Sequence, residues 1–106
     1  MFKSILLLTV STAACAGGFV DPATFTPDQK PQVIEYIRQL ASEGDGAVLT
    51  RLIERGELRA FKNLTHADDT HAYSIALVQC GDPCSYIMLD LLYRAEQRAA
   101  KQELTW

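Results

Sequence analysis

The chain has 106 residues, room for one domain at most, and sets 10 Lys and Arg against 13 Asp and Glu for a formal charge of −3. That acidic balance, with no cluster of basic residues, argues against a nucleic-acid partner and against a polybasic grip on anionic lipid. No stretch carries a specific catalytic motif, so the expectation is a protein that is not an enzyme and needs no cofactor.

The N-terminal segment reads as an export signal. Met1-Phe2-Lys3 is a short basic start, Ile5 to Val10 is an apolar core too short to span a bilayer, and Ser11 to Gly18 is a run of small residues. Residues 1–16 are therefore assigned to a signal peptide. Thr12-Ala13-Ala14-Cys15 resembles a bacterial lipobox, although that family prefers Leu where this chain has Thr12. The resemblance implies cleavage before Cys15 and lipidation of its sulfur. With Ala16 rather than Asp following, it also implies delivery to the outer membrane. The competing pattern is Ala14-Cys15-Ala16, with cleavage after Ala16 and a soluble periplasmic or secreted product.

Residues 17–26 form a tether that contains Phe19, Val20 and Phe25, apolar enough to fold back onto the domain. The domain proper is 27–106. Thr26-Pro27-Asp28-Gln29 has the form of a helix start, but Pro31 disfavours a helical Lys30, which places the first firm helix over 31–43. A second, short helix is expected over 45–55, with Val48, Leu49, Leu52 and Ile53 inward and Gly56 as its stop. That segment resembles the second helix of an ankyrin repeat, but the other hallmarks of the repeat are missing.

Residues 57–69 fit either a distorted helix or a short strand. Asp69 or Thr70 can cap a third helix over 71–80, stopped by Gly81, though Tyr73 to Val78 also suits a buried strand. The fourth helix is expected over 84–101, with Asp82 as N-cap and Pro83 at its first position. Its first half is apolar nearly all round and its second half polar, so its early turns should be central, with Ile87 and Leu91 facing the core. Asp90 and Arg94 are spaced to pair. Two helix–Gly-Asp–helix units, turning at Gly44-Asp45 and Gly81-Asp82, predict an all-α fold of about four helices in two hairpins. The alternative is α+β, with a short hairpin in 57–80.

Cys80-Gly81-Asp82-Pro83-Cys84 is the most specific local feature. The spacing allows a disulfide that locks the corner between the third and fourth helices, whereas a redox site would show two intervening residues. In an oxidising compartment, loss or lipidation of Cys15 leaves these two cysteines to pair. His66, Asp68, Asp69 and His71 are the metal-competent cluster. The two histidines would stand about 140° apart on a helix, so joint ligation needs an irregular loop. His66, Asp69 and His71 are thus the metal candidates, and the alternative is a polar loop ending in a cap. Tyr86 and Tyr93 lie near one stripe of the fourth helix, and together with Trp106 they are candidate partner-binding aromatics; the alternative for the tyrosines is that they complete the core.

In size, export signal and disulfide the chain resembles the small helical lipoproteins of bacterial envelopes, such as secretion pilotins, conjugation entry-exclusion proteins and toxin-immunity proteins. The resemblance implies a non-enzymatic binding module whose partner is another envelope or secreted protein, with the membrane reached only through a lipid on Cys15. The alternative is a periplasmic metal-binding protein using His66 and His71.

Overall fold

In the computed structural model the described residues are 18–103, and they form an all-α domain. Cys15 and Trp106 lie outside them. After single 3-10 turns at Pro22–Thr24 and Pro27–Gln29 come α1 (Lys30–Ala41), α2 (Gly46–Leu64), α3 (Thr70–Cys80) and α4 (Tyr86–Lys101). The strand alternative for 57–80 is not realised. Residues 57–64 instead carry a helical core stripe of Glu57, Ala60, Phe61 and Leu64, and α3 opens on Asp69, whose carboxylate accepts the Ala72 N–H at 3.0 Å.

The Thr26 start behaves as a capping device one step early. Gln29 Oε1 accepts the Thr26 N–H at 2.9 Å and closes the 3-10 turn, from which α1 continues at once: Lys30 is helical despite Pro31, and the helix ends at Ala41 rather than at residue 43. At the other hairpin, Gly81 stops α3 as expected, with φ of +82°, a conformation that costs a residue with a Cβ.

Gly56 does not stop the second helix. The chain runs through it, because the missing side chain admits α4: a Cβ there would stand 3.0 Å from Ile87 Cδ1. The helix tolerates a glycine in exchange for close packing. The consequence is a helix of 19 residues where a short one was expected. Its first half carries the residues assigned inward, and three of the four are uncovered: Val48 is 77% exposed and Leu52 58%, with Leu49 exposed beside them, while Ile53 is half-buried as expected.

The face of α4 is also corrected. Tyr86, Leu89 and Tyr93 are its buried residues, while Ile87, Met88 and Leu91 are exposed. Leu89 and Tyr86 have no accessible surface, a burial that stabilises by about 1.5–3 kcal/mol for a Leu-sized side chain. The helix starts at Tyr86, capped by Ser85, whose hydroxyl accepts the Met88 N–H at 3.3 Å; Asp82 and Pro83 stay in the corner before it. Asp90 and Arg94 pair at 3.2 Å along the outer face, as the spacing predicts.

The core is aromatic at one end. Tyr86 meets Phe61, Tyr36 and Phe19 with ring centroids 4.8, 5.5 and 5.4 Å away. The tether is part of this cluster: Val20 and Pro22 are buried, so the segment after residue 18 packs as a component of the domain.

Candidate functional site

Tyr86 and Tyr93 are not available as surface anchors. Tyr86 sits at the centre of the core, and its hydroxyl donates to the Val20 carbonyl at 2.9 Å and accepts the Val20 N–H at 3.1 Å. Tyr93 is buried against Tyr73, and its hydroxyl accepts the Asp69 N–H at 3.1 Å. Tyr36 donates to the Cys84 carbonyl at 2.7 Å, and Tyr73 to the Asp21 carboxylate. Each hydroxyl thus satisfies a polar group that the helices leave over. Burial raises the pKa of Tyr36, Tyr73 and Tyr86 above that of a free tyrosine; for Tyr73 the hydrogen bond to Asp21 adds to the effect.

Cys80 and Cys84 are joined, with Cα atoms 5.3 Å apart. The pair closes the corner between α3 and α4. Directly after it, Glu57 reaches across from α2 although it is only 3% exposed. One carboxylate oxygen accepts the Tyr86 N–H at 2.7 Å and the Ile87 N–H at 3.4 Å, and the other accepts the Ser85 hydroxyl at 2.5 Å. The first N–H groups of α4 therefore find their acceptor on another helix, and the carboxylate complements the positive end of the helix dipole.

The metal candidates are dispersed in role. Asp69 is committed to capping α3, while His66, in the turn after α2, and His71, on the first turn of α3, are exposed. Among the described residues no group of three His, Cys, Asp or Glu side chains comes together.

What the fold does assemble is an exposed apolar strip along α2 and α4. Beyond Gly56 the two helices run side by side in the same direction: Gly56 meets Ile87, and Arg59, Ala60 and Asn63 share a shallow depression with Asp90 and Leu91. Before Gly56, α2 overhangs the start of α4. Val48 and Leu52, one turn apart, lead along the same side of α2 to Gly56 and so to Ile87, with Leu91, 56% exposed, one turn further along α4. Met88 is exposed next to Ile87. Arg51, Arg55 and Arg59 are exposed along this side of α2; Arg51 pairs with Glu54 at 2.8 Å.

The strip is hidden in the sequence because its apolar residues have the spacing of core residues. The available signal was the spacing of Val48, Leu52, Arg55 and Arg59, which sets two apolar residues and two arginines on one side of a helix whose core stripe, from Glu57 to Leu64, faces elsewhere.

No family profile, curated protein or solved structure matches this chain. No helix among the described residues is long and apolar enough to cross a membrane.

Proposed function

We propose that this chain is a non-enzymatic binding module of the bacterial envelope, exported by its signal peptide, held to the membrane by a lipid on Cys15, and docked to a protein partner through the α2/α4 strip. The observation that carries this reading is the strip itself. Val48, Leu52, Ile87, Met88 and Leu91 are all exposed along one path on a domain of this size. Contiguous exposed apolar surface rimmed by polar groups marks interaction sites. Arg55 and Arg59 beside it suit a partner helix that carries carboxylates along the edge of its own apolar face, since arginine is favoured where interfaces desolvate an ion pair.

The anchor fits a partner at the membrane surface. Val20 is fixed to Tyr86, and five residue steps separate it from Cys15, a reach of at most about 18 Å. A lipid on Cys15 would thus hold the domain close to the bilayer rather than on a long leash.

The test is site-specific photo-crosslinking in the native envelope, with a photoreactive amino acid at Leu52, at Leu91 or at Val78, which is 84% exposed on α3. The proposal expects one shared adduct from positions 52 and 91 and none from 78. Equal adducts from all three positions, or no adduct from the first two, would overturn it. Intact mass of the purified protein tests the anchor separately, by the acyl-glyceryl mass on Cys15.

A further inference from the structure

A second surface feature lies between α1 and α2 and is independent of the strip. It is a cleft of about 330 Å³ with a floor of Val33 and Phe61, both buried, and walls of Phe25, Ile34 and Leu58. Phe25 is held edge-on to Phe61 with ring centroids 5.0 Å apart, so the 3-10 turn at Pro22–Thr24 finishes one end of the cleft. Past Ile34 and Leu58 lies a separate recess of about 230 Å³, where Arg38, Glu54 and Arg55 stand beside Ile37, so the apolar floor ends there. The volume of the cleft is in the range of small-molecule sites, about 300–1,000 Å³.

The charge around the cleft is opposite to that of the protein. Lys30 and Lys62 border it and no Asp or Glu does, in a chain with 13 acidic residues to 10 basic. Among the described residues, ion pairs join Arg51 to Glu54 and Arg94 to Asp90, and neither lysine takes part in one. Two unneutralised ammonium groups at the edge of an apolar floor complement a ligand with a tail and an anionic head. Lysine meets such a head as a compact point charge, without the directional fork of arginine.

We propose that this cleft binds a single-chain anionic amphiphile, of which a long-chain fatty acid is the simplest member. The tail lies over Val33, Phe61 and Leu58 within this cleft, and the head is held between Lys30 and Lys62. Each methylene taken from water adds to affinity, and the lysines supply selectivity for charge.

The experiment titrates the full chain with 11-(dansylamino)undecanoic acid, followed by dansyl emission, and then displaces the probe with palmitate, 1-palmitoyl lysophosphatidic acid or methyl palmitate. Displacement by either anionic amphiphile but not by the ester is the expected result, and the ratio of the two acids shows whether the head is a carboxylate or a phosphate. Lys30→Gln with Lys62→Gln should weaken probe binding about ten-fold at low salt, the sum of two modest ion pairs. Ile34→Glu, at an exposed wall position, should abolish binding with helix content unchanged. Displacement by the ester as effective as by palmitate, or unchanged affinity in the double lysine variant, would overturn the proposal. So would displacement by an acidic amphipathic peptide but by none of the lipids.

Discussion

The Glu57 carboxylate accepts the backbone N–H of Tyr86 at 2.7 Å, so that a residue of α2 caps the helix that begins 29 positions later in the chain. Glu57→Ala leaves the buried Tyr86 N–H without an acceptor, at about 1–3 kcal/mol, and removes the partner of the part-exposed Ser85 and Ile87 donors as well. The melting temperature should fall by more than about 10 °C, given about 4–8 °C per kcal/mol for a domain of this size. Glu57→Gln keeps one acceptor oxygen and should lose less. Thermal melts by circular dichroism check both, and equal melting of Glu57→Ala and the parent would refute the cap.

Gly56 predicts a size-dependent response. An alanine Cβ would meet only the end of the Ile87 side chain, at 3.0 Å, which can turn aside, while the helix gains about 1 kcal/mol in propensity. Gly56→Ala should therefore be within about 1 kcal/mol of the parent. Gly56→Leu must push Ile87 further from its place against α2 and should cost about 1–3 kcal/mol in denaturant unfolding.

The buried tyrosines make stability fall at alkaline pH. Tyr36, Tyr73 and Tyr86 all have raised pKa values in the fold, chiefly from burial, whereas in the unfolded chain they ionise near the ordinary value of about 10. Above that pH the unfolded state holds fewer protons than the native one, so the stabilisation present below about pH 10 is lost as pH rises further. Urea midpoints from pH 8 to 11.5 should decline beyond about pH 10. The part of the tyrosinate absorbance that comes from these three residues should lag until the protein unfolds. Tyr86→Phe should flatten the decline while releasing residues 18–25 to protease, because its hydroxyl binds both backbone groups of Val20.

The Cys80–Cys84 bond closes a loop with a sequence separation of only 4, so it removes little entropy from the unfolded chain. Cys80→Ser with Cys84→Ser should cost clearly less than the roughly 3 kcal/mol of a 15-residue loop and leave the helical spectrum intact. A collapse of helix content in that variant would mean that the bond does more than hold the corner.

Local chemistry made much of this fold legible. The Thr26-Pro27 start, the Asp69 cap, the Gly81 stop and the paired cysteines act through neighbours in sequence, and each does what its spacing predicts, within a residue or two. What stayed hidden depends on partners far along the chain. Gly56 reads as a stop until Ile87 is seen against it. Glu57 looks like a solvent-facing charge until Tyr86 and Ser85 arrive. The first half of α4 is apolar on every side, so periodicity could not choose between the Tyr86–Leu89–Tyr93 face and the Ile87–Leu91 face. The choice is made by Val20 and Asp69, whose backbone groups need tyrosine hydroxyls. The same ambiguity concealed the candidate docking strip, because its residues pass for core in sequence.

The most direct test of the central claim is Leu91→Asp, measured for folding and for crosslinking together. Leu91 is 56% exposed whereas Leu89, two positions earlier, is fully buried. The prediction is that Leu91→Asp melts within about 1 kcal/mol of the parent, as surface changes do, while the photo-adduct from position 52 disappears. Leu89→Asp, in contrast, should unfold the domain. If Leu91→Asp folds and still gives the full adduct from position 52, the α2/α4 strip is not where the partner binds.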